Sequence, residues 1–514
     1  MNQNVRVRFA PSPTGALHIG GVRTALYNYL FARQNKGTFI LRIEDTDQNR
    51  YVEGAENYIF ESLDWFGLES TESPLKGGEY APYRQSERKG MYKQYAQKLV
   101  DEGKAYYAFD TKEEIDALKT RLEEAKANQI SYNAITRMQM TNSLTLSEEE
   151  VKTRIERGDS YIIRIKIPPK DEIRFQDMIV GWVKAHSSTL DDKVLLKEDG
   201  LPTYHLANVV DDYLMKITHV IRGKEWLPSA YLHVLLYEFL GWKEVMPQFA
   251  HLPLILKPSG KGKLSKRDGI ALGIPIFPLS WEDKDDKTGE EQTMQGFRED
   301  GFLPEAVLNF LAFLGWNPGT EQEIFSMEEL IESFDINRVV KSDAIFDFEK
   351  AKWFNQQYLK NTENHKLGEL LQAEIKRQNF ATDFDLAKLT QVAELMKERI
   401  TSLNDVLKDG LYFFKTPEEY DEKTVKNRWN EEAKDFVKAI QAQIEGFTDA
   451  WNASNLHDLI HGYIEQNDLK MGKTMPALRL AVTGLGGGPD LMGIMEVIGK
   501  AETLNRLEKA LNNL

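Results

Sequence analysis

The chain contains no cysteine, which excludes disulfides and any thiolate nucleophile or thiolate metal site. It has no apolar run of the length a membrane helix needs, and its first residues enter a strand pattern instead of a charged-then-apolar leader. A cytoplasmic protein with no membrane partner is therefore expected. Its nine histidines are scattered over 514 residues and form no clear zinc constellation. Positive charge is also short: 65 Lys and Arg against 80 Asp and Glu leave a formal net charge of −15. Bulk charge of that sign argues against nucleic acid, because phosphate contacts supply much of such affinity. Net charge governs solubility and steering, however, and leaves room for a local basic stripe. Lys257, Lys261, Lys263, Lys266 and Arg267 form one. RNA, if bound, should be held by shape and by local, salt-sensitive contacts.

What the chain does have is length for several domains, with 41% hydrophobic and 11% aromatic residues to fill their cores. Two segments carry the chemistry. Pro11-Ser12-Pro13-Thr14-Gly15-Ala16-Leu17-His18-Ile19-Gly20-Gly21 follows an alternating run, Val5 to Phe9, and leads into an amphipathic stretch with Leu26, Tyr29 and Leu30. That reads as strand, Gly/Pro turn and helix start, where backbone N–H groups and the positive end of a helix dipole gather for phosphate. Lys263-Leu264-Ser265-Lys266-Arg267 places three cations within five residues on a loop punctuated by Pro258, Gly260, Gly262 and Gly269. Together the two could hold a nucleoside triphosphate from both ends.

These segments resemble the two signatures of class I aminoacyl-tRNA synthetases, and their wording is similar to the bacterial glutamyl-tRNA synthetase family. The first signature is generally His-Ile-Gly-His; here Gly21 stands at the second histidine, which leaves His18 as the motif's only imidazole. The second, generally Lys-Met-Ser-Lys-Ser, appears as Lys-Leu-Ser-Lys-Arg. Likeness extends through Arg42–Asp47, Pro82–Ser86, Leu201–Asp212 and Val220–Arg222, so that it covers nearly the whole chain.

The resemblance implies a glutamate–tRNA ligase that consumes ATP with Mg²⁺. A substrate carboxylate attacks the α-phosphate, and a ribose hydroxyl of the tRNA terminus then takes the acyl group, so no protein nucleophile is needed. His18, Lys263 and Lys266 are the implied catalytic groups. Pro11, Ser12, Gly15, Gly20, Gly21, Glu225, Leu264, Ser265 and Arg267 join them around ATP. Glutamate carries two carboxylates and an ammonium, which call for arginines and a carboxylate. Arg8 and Arg222 match the family's arginines, Glu44 its carboxylate, and Ala10, Ser12, Tyr204 and Asn208 the remaining contacts. Asp211-Asp212 looks like a metal pair, but the family pattern gives it a structural or tRNA-facing place. Many family members carry a cysteine-rich zinc site after an aromatic pair, whereas Tyr106-Tyr107-Ala108-Phe109-Asp110 supplies no closely spaced S or N ligands, so a zinc-free insertion is expected. The implied partners are tRNA(Glu) and glutamate, the implied state is a monomer, and activation of glutamate is expected to require bound tRNA.

Residues 1–100 alternate strand and helix patterns: Val5–Phe9, a helix to about Gln34, Thr38–Ile43, then helices through Ala55–Phe66 and Met91–Glu102. This predicts the first half of a Rossmann-like α/β catalytic domain. Residues 101–203 break the pattern with a charged helix over Lys112–Asn128 and strands near Tyr161–Ile167 and Ile179–Val183. They read as an inserted α+β subdomain, which the resemblance makes acceptor-stem-binding. The sheet pattern resumes near Tyr204, through Ile217–Ile221, a helix Leu227–Leu240 and a strand His251–Leu256, making 204–258 the second catalytic half. Residues 259–345 are a stem-contact region with the lysine loop, and 346–514 an all-α, anticodon-binding half. Within them, 275–295 looks like an extra acidic, solvated loop, and Gly484–Pro489 like a helix-ending turn. A glutamate-activating enzyme for a modified base would lack the long helical half. A silent RNA-binding paralogue would be expected to lose His18 or the lysine loop.

Overall fold

The computed structural model describes residues 4–127, 129–284 and 289–514. They form two compact units, one of Met1–Gly296 with Leu308–Phe348 and one of Phe297–Val307 with Glu349–Leu514.

The first unit is built on parallel strands. Thr38–Leu41 is buried along its whole length, as a strand covered on both faces must be, and it pairs in parallel with Arg6–Phe9. His219–Gly223 pairs in parallel with Gln248–Leu252, placing Arg222 opposite His251. The two pairs are joined where Thr218 N–H donates to the Arg6 carbonyl (2.9 Å) and Arg6 N–H to Thr218 Oγ1 (2.9 Å). The chain runs outward in both directions from that seam, so the carboxyl ends of Arg6–Phe9 and His219–Gly223 open a crevice at a switch point, the usual place for a ligand in such sheets. The helix Ile19–Gln34 begins at the same end, with His18 as its N-cap.

The insertion contains an antiparallel sheet of Ala105–Ala108, Ile162–Ile165 and Val194–Leu196. A ribbon of Glu172–Asp177 and Gly181–His186 continues from it, and Asp177 pairs in parallel opposite Phe249, so the ribbon extends the catalytic sheet. The strand expected over Ile179–Val183 is instead a turn followed by the strand Gly181–His186. Ile179 and Val180 form the ribbon's turn, because Asp177 Oδ1 accepts from both of their backbone N–H groups (2.9 Å each). The strand expected over His251–Leu256 is divided into Gln248–Leu252 and Ile255–Leu256, since Pro253 has no N–H to continue a ladder. Tyr204 opens a helix, Tyr204–Leu214, and strand structure returns only at His219.

The acidic segment at 275–295 is not simply a loop. Trp281–Lys284 and Glu291–Met294 pair as an antiparallel hairpin, with Trp281 opposite Met294 and its ring 5.1 Å from that of Tyr58. Those apolar contacts outweigh the solvating charge at its base. Residues 285–288, within the acid cluster, lie outside the described residues, as does Asn128 at the end of the expected helix Lys112–Asn128; the helix observed is Lys112–Glu124.

The second unit is helical throughout its described residues from Glu349 onward, apart from turns and a 3₁₀ segment at Leu411–Phe413. Amphipathic helices such as Glu431–Glu445 and Ala453–Gln466 bury Phe436, Ile440, Ile460 and Ile464 in one core. The helix Met471–Thr483 ends on Gly484, so the glycine run there is a helix-ending turn.

Candidate active site

The crevice at the switch point is a cavity of about 440 Å³. Its floor comes from strand ends, one wall from the start of the helix Ile19–Gln34, and the opposite wall from the helix Tyr204–Leu214 and residues following Arg222.

Several of the expected nucleotide groups line it. His18 Nδ1 accepts the Gly20 N–H (3.1 Å), which places the ring proton of the neutral imidazole on Nε2. Nε2 is buried and has no hydrogen-bond partner among the described residues. Burial, reinforced by Lys263 and Lys266, lowers the His18 pKa to about 4. The ring is thus a neutral donor waiting for an acceptor. NMR titration of the ligand-free protein should give a His18 midpoint near 4 and no His18 transition between pH 5.5 and 8; a midpoint near 6.5 would contradict a ring kept neutral by burial and the two lysines.

Lys266 also lines the cavity, and its Nζ makes no hydrogen bond or ion pair among the described residues. Gly15 is required opposite it: its φ is +127°, and a Cβ there would stand 2.8 Å from Lys266 Nζ. Pro11, Ser12, Gly20, Gly21 and Glu225 share this wall. Lys263 is held by Glu225 (2.7 Å), both partly exposed. The structure does not bring the rest of the expected ATP set into the cavity: Leu264 turns into the core at 2% exposure, while Ser265 and Arg267 are exposed outside its lining.

The same lining carries the groups expected to meet the amino acid. Arg8 gives Nε and Nη2 to Asp212 (3.0 and 3.2 Å). Arg42, fully buried, bridges the same carboxylate (2.8 Å) and Glu44 (2.9 Å). Asn208 Nδ2 donates to the same Glu44 oxygen, Oε1 (3.0 Å), so Oε2 has no partner among the described residues. Arg222 is different. It is 4% exposed and has no carboxylate partner among the described residues; it donates to Tyr204 Oη (2.7 Å), His251 Nε2 (3.1 Å) and the Trp226 carbonyl (3.3 Å), and its Nη1 also lies 3.5 Å from His233 Nδ1. Burial, with no paired anion, moves its pKa down from the usual arginine value. A buried guanidinium without a counter-ion is costly, and an anionic ligand would relieve that cost. Ala10, Ser12, Tyr204 and Asn208 line the same space.

Sequence reasoning gave no role to Arg42, Trp226, His251 or Asp177. Trp226 faces Tyr204 with ring centroids 4.7 Å apart beside the cavity. The available signal for Arg42 was a charge following the apolar run Thr38–Leu41. Asp211 and Asp212 hold no metal geometry: Asp211 takes Arg88 (2.7 Å), Gln85 (2.9 Å) and Tyr92 (2.8 Å), and Asp212 takes Arg8 and Arg42. Among the described residues no group of three or more His, Cys, Asp or Glu could hold a metal ion.

The family described as tRNA synthetases class I (E and Q), catalytic domain, matches residues 4–276 and 284–353, and the family described as anticodon binding domain matches 357–511. A glutamate–tRNA ligase of Cytophaga hutchinsonii is 58% identical over 513 residues, covering 100% of this chain and 98% of that protein. One of Amoebophilus asiaticus is 52% identical, covering 99% and 98%. The crystal structure of a glutamate tRNA ligase from Elizabethkingia meningosepticum, in complex with its amino acid, superposes with a TM-score of 0.92 at 50% identity, covering all of both chains.

Proposed function

The chain belongs to the class I tRNA synthetase family of glutamate and glutamine enzymes, and on that premise we propose that it is a glutamate–tRNA ligase, forming glutamyl-adenylate from glutamate and ATP and passing the glutamyl group to the 3′-terminal ribose of tRNA(Glu). The observation that carries the choice of amino acid is Arg222, buried without a counter-ion among the described residues in a cavity that His18 and Lys266 also line. One substrate carboxylate neutralises Arg222, Glu44 Oε2 takes the ammonium, and Arg8 keeps Nη1 for a second anionic group.

The reaction moves negative charge from the attacking carboxylate onto the phosphate oxygens and then onto departing pyrophosphate. His18 Nε2–H donates to a phosphate oxygen, and Lys266, which has no competing partner, neutralises charge as the leaving group separates. Mg²⁺ would arrive with the nucleotide and would share with His18 and Lys266 the neutralising of phosphate charge. Residues 1–100 and 204–258 serve catalysis, 101–203 and 259–345 the tRNA stem, and 346–514 the anticodon. The enzyme works as a cytoplasmic monomer.

Bound tRNA completes the site through a population shift of the lysine loop. Pyrophosphate exchange with ATP and glutamate alone should be nearly absent and should appear with cognate tRNA. Strong exchange in nuclease-treated protein would overturn this coupling, and exchange elicited by glutamine instead of glutamate would overturn the substrate reading.

A further inference from the structure

Behind the cavity, Arg222 is held by a buried chain of groups that no substrate reaches. His251 is 1% and Asp177 1% exposed. Arg222 Nε donates to His251 Nε2 (3.1 Å), and His251 Nδ1 lies 2.6 Å from Asp177 Oδ2. Arginine has no acceptor, so Nε2 must be the unprotonated ring atom and the ring proton must sit on Nδ1, facing the carboxylate. Asp177 is itself fixed: Oδ1 accepts backbone N–H groups of Ile179, Val180 and His251 (2.9, 2.9 and 3.3 Å). His251 stands opposite Arg222 in the parallel pair His219–Gly223 with Gln248–Leu252, while Asp177 ends the ribbon strand contributed by the insertion.

We propose that Asp177 and His251 are positioning residues for the substrate carboxylate: Asp177 fixes the His251 tautomer, and His251, by occupying Arg222 Nε, turns the guanidinium so that its η nitrogens face the cavity. The inference rests on the reading of Arg222 as the group that takes a substrate carboxylate. The neutral state of His251 agrees with burial, which lowers its pKa despite the neighbouring carboxylate. Arg222 has no carboxylate partner among the described residues, so this hydrogen bond, the Tyr204 hydroxyl, the Trp226 carbonyl and the more distant His233 Nδ1 (3.5 Å) set its orientation. A ring with the wrong tautomer would set Nε2–H against Arg222 Nε–H, two donors face to face. The insertion thereby supplies, through one side chain, part of the amino-acid specificity of a site it does not line.

The decisive variant is Asp177→Asn, which keeps the shape and the backbone acceptor but can turn an N–H toward His251 Nδ1 and force the proton onto Nε2. In tRNA-charging assays its glutamate KM should rise about tenfold, as for loss of a hydrogen bond to a charged group, with ATP KM and kcat changed less than about threefold. Combining Asp177→Asn with His251→Gln, whose amide oxygen accepts from Arg222 whatever residue 177 is, should make the residue-177 change nearly silent in glutamate KM relative to His251→Gln alone. A melting curve for each variant separates misfolding from misorientation. The proposal is overturned if properly folded Asp177→Asn has normal glutamate KM while Arg222→Gln raises it. If Arg222→Gln also leaves glutamate KM unchanged, the reading of Arg222 itself fails.

Discussion

Lys266→Ala should slow adenylate formation by about 10²–10³, equivalent to roughly 3–4 kcal/mol of transition-state stabilisation, while leaving glutamate affinity nearly unchanged. The size follows from its surroundings. Lys266 Nζ has no ion pair or hydrogen bond among the described residues, so its charge is uncommitted until the nucleotide arrives. On the proposed reading its charge is needed most when pyrophosphate leaves, and an interaction made mainly in the transition state appears in kcat. Lys263, by contrast, already has Glu225 at 2.7 Å. Single-turnover formation of glutamyl-adenylate in the presence of tRNA measures the effect. A mutant within threefold of the natural rate would remove Lys266 from the chemistry.

Asp212→Ala should produce the largest loss of stability of any single change at the site, about 3–5 kcal/mol, because it leaves two buried guanidinium groups facing each other across an empty position. Arg8 is 3% exposed and Arg42 is fully buried, and both converge on this carboxylate at 2.8–3.2 Å. Burial alone would raise the Asp212 pKa, but the charges of Arg8 and Arg42 outweigh it and hold the carboxyl below its usual range. A group lowered in the fold stabilises fully above its unfolded value, about 3.9, and that contribution is lost as pH falls through the lower folded value. The stability gap between natural protein and Asp212→Ala should therefore be full at pH 7 and begin to shrink only at acid pH. Urea unfolding of both proteins at pH 7 and across the acid range tests this. A gap below about 1 kcal/mol at pH 7 would contradict the charge cluster as the site's structural support.

Much of the cavity lining was legible because its groups lie in short, specific strings. His18 follows a turn that a helix start explains, Lys266 follows a glycine-punctuated loop, and Arg222 ends an apolar run that can only be a strand. The alternation of patterns likewise gave the α/β half, and the amphipathic stretches gave the helical one. What was not legible depends on partners distant in the chain. Asp212 meets Arg8 across 204 positions and Arg42 across 170, and nothing near Asp212 in sequence announces two guanidiniums. Asp177 meets His251 across 74. The turn at Ile179–Val180 was hidden by its apolar residues, since a side-chain oxygen, and no Gly or Pro at those positions, makes the bend. The hairpin at Trp281 was masked in the same way by surrounding acids whose charge suggested solvation, while one ring packed against Tyr58 decided the structure.

The central claim is that the cavity selects glutamate for transfer to tRNA, and the direct measurement is charging of purified tRNA(Glu) by the full-length protein with ATP and either labelled glutamate or labelled glutamine. The account predicts glutamyl-tRNA formation that requires ATP, with glutamine at least about 10³-fold poorer in kcat/KM because its neutral amide leaves the buried guanidinium without an anion. Equal use of the two amino acids, or charging with glutamine alone, would contradict it.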